Sequence, residues 1–148
     1  MEANEHARTI VNERIVPYSR EQIFEAWSNP KLLAQWWGPN GFTNTFHHFE
    51  FIPGGKWHFT MHAPDGTDYE NFCEFHEFTA PERISIDHIE PVHRFRLTGI
   101  FTPVSGGTSI EFRQEFASAD ECNRIRSFVT DANEQNLDRL EAVLQKLK

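Results

Sequence analysis

Residues 118–148 read SADECNRIRSFVTDANEQNLDRLEAVLQKLK, and this stretch decides the architecture. Ser118 followed three residues later by Glu121 is a capping-box start. Ile125, Phe128, Val129, Ala132, Leu137, Leu140, Leu144 and Leu147 then follow a spacing of three and four to the end. The spacing predicts one amphipathic helix of about eight turns at 3.6 residues per turn. Such a helix carries a single apolar stripe, and the rest of the chain must supply the surface that covers it.

That surface is legible upstream. From Gly41 to Phe116 the sequence consists of short runs rich in Phe, Ile, Thr and Trp. They are punctuated at Pro53-Gly54-Gly55, Pro64-Asp65-Gly66, Ala80-Pro81, Glu90-Pro91 and Ser105-Gly106-Gly107. These marks divide the stretch into six strands, which at such short connections pair as an antiparallel meander. Thr9 to Val16 alternates in the same way and stops at Pro17, which makes seven. Between the first strand and the meander, Ser19 with Gln22 starts a helix through Ile23, Phe24, Ala26 and Trp27, and Asn29-Pro30 ends it and begins a second helix through Leu32, Leu33 and Trp36. The expected fold is α+β: a seven-stranded antiparallel sheet curled around one long C-terminal helix, with two short helices after the first strand, as a single domain over 1–148.

The strands have one aromatic face and one wet face. Trp57, Phe59 and Met61 alternate with Lys56, His58, Thr60 and His62. Phe95, Leu97, Gly99 and Phe101 share a face, as do Ile110, Phe112, Gln114 and Phe116. The chain has 14 Phe, 4 Trp and 2 Tyr among 148 residues, more ring than a minimal core needs. Bulky rings facing a long helix are expected to hold the two layers apart and leave a cavity, the kind of place where small apolar ligands bind.

Composition excludes other classes. With 14 Lys and Arg against 22 Asp and Glu, the formal charge of −8 lacks the positive field that holds a phosphate backbone or an anionic membrane, so no nucleic-acid partner is expected. No apolar run reaches the roughly 18 residues of a membrane span, and MEANEHART has neither the basic start nor the apolar core of a signal peptide. The expectation is a cytoplasmic protein in which Cys73 and Cys122 are buried or free thiols.

Several segments together resemble the family of activator-of-heat-shock-protein-90-ATPase-like domains, in the START-like or polyketide-cyclase (SRPBCC) superfamily of helix-grip folds. They are Trp36-Trp37-Gly38-Pro39, Pro53-Gly54-Gly55-Lys56-Trp57, Pro64-Asp65-Gly66, Pro81-Glu82-Arg83-Ile84, Gly106-Gly107-Thr108 and Leu137-Asp138-Arg139-Leu140, in order over about residues 8 to 147. The resemblance implies a single domain with an internal pocket; it implies little about activity, because fold does not determine function. This chain departs from the pattern at Glu50 and Ile52, where an acidic residue and then Arg are common, and at Ala132-Asn133, where Gly-Trp is common. It also places His88 where a ring is expected, in phase with Ile84 and Ile86. Asn in place of a large ring implies a roomier pocket with Asn133 at its wall.

Catalytic signals are sparse. His88 can exchange a proton near neutral pH, although a lone His on an apolar face is more often a hydrogen-bonded core residue. Glu77, in phase with Cys73 and Phe75, is either a buried acid raised by desolvation, the partner of Arg96 or another Arg, or the end of the strand in solvent. His58 and His62 share a face but stand about 13 Å apart at about 3.3 Å per residue, too far for one Zn²⁺, and His47 and His48 alternate in direction; no metal and no cofactor are expected. Gly-x4-Gly-Lys-Ser/Thr and Gly-x-Ser-x-Gly are both absent, and Cys73 has no evident base. Between Gly41 and Pro91 lie nine acids, two bases and six of the eight His, an acidic outer face that could meet a basic partner or simply keep the protein in solution.

The leading expectation is therefore binding of a small apolar or aromatic molecule between helix and sheet. Trp57, Phe59, Met61 and Phe75 would form apolar walls together with Phe95, Phe112 and Phe128. His88 and Asn133 would orient the ligand by hydrogen bonds, with Trp37 and Phe42 near the entrance. Trp36 and Trp37 either cap the mouth or pack the helix pair against the sheet. Two further readings are a chaperone-regulating interaction domain, which the family resemblance implies, and a polyketide cyclase or hydrolase using His88 or Glu77.

Overall fold

A computed structural model describes residues 8–90 and 94–147. The elements are β1 (Thr9–Val16), α1 (Arg20–Ser28), α2 (Pro30–Trp36), β2 (Thr43–Phe49), β3 (Lys56–His62), β4 (Asp68–Thr79), β5 (Arg83–Glu90), β6 (Phe95–Val104), β7 (Gly107–Phe116) and α3 (Ala119–Lys146). One sheet in the order β1-β7-β6-β5-β4-β3-β2 is antiparallel throughout, so the chain runs as a meander from β2 to β7 and β1 closes beside β7. This is the expected helix-grip architecture, with both short helices after the first strand.

The helix starts follow from their caps. Ser19 accepts the Gln22 amide while the Gln22 side chain takes the Ser19 amide, and Asn29 accepts from Lys31 with Pro30 in the first turn. Ser118 accepts the Glu121 amide to open α3. Among the described residues no helix is long and apolar enough to cross a membrane.

Two hydrophobic clusters lie under α3. The larger joins Leu137, Leu140, Val143 and Leu144 of α3 to Trp27, Leu33 and Trp36 of the short helices and to the rings of the inner sheet face. The smaller joins Cys122 to Ile10 and Phe116, with Phe95, Ile125 and Val129 packed against it. Between these clusters the buried face of α3 is polar: Asn133 and Asn136 occupy it. Arg14 of β1 fastens the outer flank of α3 through Glu134, Asp138 and Glu141 at 2.8, 2.7 and 2.9 Å.

Three expectations are corrected. Phe128 is 71% exposed and lines no cavity. It precedes Leu137 by nine residues, two and a half helical turns, which sets it on the opposite side of α3. Glu77 does not share the face of Cys73 and Phe75. A bulge between Phe75 and Glu77 adds a residue to β4, so Phe75 stands opposite Ile86 but Glu77 opposite Ser85, and Glu77 is exposed with Arg83 at 3.8 Å. A second bulge, between Phe46 and His48, puts both His47 and His48 on the outer face: His47 Nε2 meets Thr60 Oγ1 at 2.7 Å, and His48 lies opposite His58.

Candidate functional site

A cavity of about 230 Å³ opens between the middle of α3, the inner sheet face and the loop after α2. Trp37, Gly38 and Pro39 of that loop form one side and Asn133 and Asn136 of α3 another. The floor comes from alternate residues of five strands: Met61, Asn71 with Cys73, Ile86 with His88, Phe95 with Leu97, and Phe112 with Gln114. It sits between the two hydrophobic clusters, which the partly buried Phe95 bridges, at the place where Asn133 and Asn136 put short amides instead of larger apolar side chains on the buried face of α3.

The rim is held by one guanidinium. Arg139 Nη1 donates toward the carbonyl oxygens of Trp37, Gly38 and Pro39 at 3.2, 2.7 and 2.9 Å, and Nη2 donates to those of Gln35 and Phe42, each at 2.9 Å. Two further α3 side chains take loop amides: Asn136 Oδ1 accepts from Gly38 at 2.8 Å and Gln135 Oε1 from Asn40 at 2.9 Å. Asn44 Nδ2 adds a bond to the Trp37 carbonyl at 2.8 Å. Gly38 has φ +98°, a left-handed conformation that favours glycine whatever the space around it, and a Cβ there would also meet the flexible end of Met61 at 2.7 Å. The Trp-Trp-Gly-Pro and Leu-Asp-Arg-Leu segments, far apart in sequence, thus make one structure.

Inside, the polar groups are connected. His88 is buried, its ring stacked on Phe95 with centroids 4.5 Å apart, and its Nε2 lies 2.9 Å from Asn71 Oδ1. Asn71 Nδ2 donates to the Tyr69 carbonyl, so Oδ1 faces the imidazole and Nε2 carries the proton. Asn133, 5% exposed, donates through Nδ2 to Gln114 Oε1 at 3.1 Å and to Asn12 Oδ1 at 3.3 Å. Burial pushes the Cys73 thiol well above the ordinary range, with the charge of Asp87 adding to the shift, so at neutral pH this sulfur is a thiol and not a nucleophile. Among the described residues no Asp, Glu, Lys or Arg lines the cavity. A second cleft, of about 500 Å³, is charged instead: Arg8, Arg94 and Arg96 face Glu74, Asp87 and Glu115 across it, Arg96 grips Asp87 at 2.7 and 3.1 Å, and His88 and Phe95 are common to both hollows.

Of the expected ligand-contact residues, Trp37, Met61, His88, Phe95, Phe112 and Asn133 line the cavity. Trp57, Phe59 and Phe75 do not. They are buried in the main core, where Trp57 stacks on Phe59 at 4.3 Å and Phe49 and Phe51 stand edge-on to Phe75 at 5.4 and 5.0 Å. Phe42 lies beside Gly38 and near Tyr69, outside the lining. Trp36 and Trp37 divide the two roles considered for them: Trp36 is fully buried with its Nε1 on the Ala26 carbonyl, and Trp37 faces the cavity. Sequence reasoning missed Asn71, Gln114 and Asn136. Gln114 had a signal, a polar residue in phase with Ile110, Phe112 and Phe116, and Asn136 another, one turn from Asn133.

On the outer face, carboxylates and histidines pair off: His48 with Glu50 at 3.2 Å, His58 with Glu70 at 3.0 Å and His62 with Asp68 at 2.7 Å. Among the described residues no three His, Cys, Asp or Glu side chains come together as a metal site.

Comparison with known proteins gives a consistent picture of the fold. A solution structure of a protein from Arthrobacter aurescens is similar with a TM-score of 0.87 at 22% identity, over 95% of this chain and 88% of that one. A crystal structure of a protein from Nitrosomonas europaea is similar with a TM-score of 0.87 at 17% identity, over 97% and 98%. One from Mycobacterium smegmatis gives 0.83 at 21%, over 98% and 96%. A search of curated proteins finds no match. The family model described as "Activator of Hsp90 ATPase homolog 1-like protein" matches residues 17–145. The chain belongs to the Activator of Hsp90 ATPase homolog 1-like family, within the START-like SRPBCC superfamily, whose fold suits a ligand-binding domain in general.

Proposed function

We propose that this protein is a cytoplasmic single-domain binder of a small, largely apolar molecule, held in the cavity between α3 and the inner sheet face and released unchanged. The observation that carries the reading is the cavity of about 230 Å³ at the polar gap between two hydrophobic clusters, reached under a loop that Arg139 holds in place. Trp37, Met61, Phe95 and Phe112 supply apolar contact, and His88 and Asn133 orient the ligand. Catalysis finds little support: His88 is engaged with Asn71, Glu77 faces away, and the carboxylates that share a cleft with His88 line the charged second cleft and, among the described residues, not this cavity. Two free, buried cysteines suit a reducing compartment.

The test is a ligand-observed NMR screen of small aromatics against the wild type and Cys73→Phe, whose added ring would occupy the cavity. Ligands that bind the wild type and not the filled variant support the reading; binding that survives in the filled variant, or none at all, refutes it. A second reading, regulation of a chaperone, has the family description in its favour. It is tested by capture of a heat-shock-protein-90 ATPase, lost on reversing the outer-face charges of Glu70 and Glu74.

A further inference from the structure

We infer that the cavity selects an uncharged ring compound bearing a carboxamide or lactam group, and discriminates against carboxylates and pure hydrocarbons. The inference rests on the ligand-binding reading above and specifies its chemistry.

The amides of the cavity are oriented by a chain of bonds that starts at a charge. The Glu134 carboxylate and the Thr130 carbonyl only accept, and Asn12 Nδ2 donates to them at 2.7 and 3.3 Å, so Asn12 leaves its Oδ1 for Asn133. Asn133 Nδ2 must then be the donor to Asn12 Oδ1 and to Gln114 Oε1, which uses both of its hydrogens. The consequence is a fixed polarity: Asn133 keeps Oδ1, an acceptor, and Gln114 keeps Nε2, a donor, neither with a partner among the described residues. Asn136 is oriented independently, because its Oδ1 takes the Gly38 amide, and it keeps Nδ2 as a second donor. All three side chains are more than nine-tenths buried and line the cavity.

Two amide donors and one amide acceptor at the edge of an apolar hollow match a group that has a carbonyl oxygen and an N–H side by side. A carboxylate would supply acceptors only, leave Asn133 Oδ1 facing a negative charge, and enter a space that no Lys or Arg lines among the described residues, where an unpaired charge is costly. A hydrocarbon would leave all three groups without partners. An apolar cavity of about 150 Å³ accepts benzene, so about 230 Å³ suits one ring with its substituent rather than a long acyl chain.

The experiment is calorimetric titration of the full chain with benzamide, benzoate, benzamidine and ethylbenzene, in the wild type, Cys73→Phe and Gln114→Met. The expected result is benzamide binding at least about tenfold tighter than the other three, as for a site built to hydrogen-bond its ligand. That margin should narrow in Gln114→Met and binding should vanish in Cys73→Phe. Equal or tighter wild-type binding of benzoate, benzamidine or ethylbenzene, lost in Cys73→Phe, overturns the carboxamide class while keeping the ligand-binding reading. No binding by any of the four at millimolar concentration, or binding unchanged in Cys73→Phe, overturns both. The wild-type ranking alone decides the class if either variant fails to fold.

Discussion

Arg139→Ala should cost about 3 kcal/mol and loosen one side of the cavity. Five carbonyl oxygens lie within hydrogen-bond distance of its two terminal nitrogens, but those nitrogens carry only four hydrogens, so the three contacts of Nη1 share two. Part of the group is open to solvent, and water takes over some of these carbonyls when it is removed. Counting two bonds that water does not replace, at about 1.5 kcal/mol each for a charged donor, gives the figure above. No carboxylate pairs with Arg139 among the described residues, so the loss is not a broken ion pair. Desolvation lowers its pKa, yet an arginine remains charged throughout the accessible range. Arg139→Lys keeps the charge, but a compact ammonium cannot span carbonyls of residues 35, 37–39 and 42 together and should recover less than half of the loss. In urea denaturation the midpoint should fall accordingly, and the melting temperature by about 6–12 °C for a chain of this length. Hydrogen exchange should accelerate at Gly38 and Asn40, whose amides are held by Asn136 and Gln135. Stability within about 0.5 kcal/mol of wild type, with exchange at those two amides unchanged, would refute the clamp.

Gly99→Ala should destabilise by about 1–3 kcal/mol in urea titration, since the new Cβ would stand 2.8 Å from Cη2 of Trp27, a ring fixed by Trp36, Phe101 and Phe112 at 5.1, 5.6 and 5.6 Å. Phe128→Glu should change stability by less than about 0.5 kcal/mol, whereas Leu137→Ala on the opposite side of the same helix should cost about 2–5 kcal/mol; equal effects would mean that the buried face of α3 is wrongly assigned. Stability should also fall as pH rises past about 8.5. Burial raises the thiol of Cys73 in the folded state, so the unfolded chain releases that proton first and gains on alkalinisation; Cys73→Ala should flatten the slope by up to about 1.4 kcal/mol per pH unit. An unchanged slope in denaturation between pH 8.5 and 9.5 would contradict the burial of that thiol.

The fold was readable because its signals are periodic and long. The alternation in β7 runs without interruption, the β3–β4, β5–β6 and β6–β7 pairings carry no register shift, and the caps at Ser19 and Ser118 mark real helix starts. What escaped is what breaks a period. The extra residues at His47 and His76 invert the phase of β2 and β4, and nothing in the local sequence marks either bulge, so Glu77 appeared to face inward. Phe128 joined the apolar stripe because an apolar residue at a spacing of three looks the same whether or not a surface lies opposite. The cavity was only half legible. Rings were expected to prop the layers apart, but Trp57, Phe59 and Phe75 satisfy one another with Phe46, Phe49 and Phe51. The space arises instead where Asn133 and Asn136 interrupt the apolar face of α3. Asn133 was found because it stands out against the family pattern. Asn71 was not, since its role depends on meeting His88 across two strands.

A small ring compound is expected to occupy the hollow beneath Asn133 and Asn136. The most direct measurement is a set of intermolecular NOEs between the ring protons of bound benzamide and the methyl groups of the protein. Contacts are expected to Met61, Ile86 and Leu97, which line the cavity on three different strands. Contacts confined to exposed methyls such as those of Ile15, Ile52 or Val104 would place the ligand outside the cavity and refute binding there.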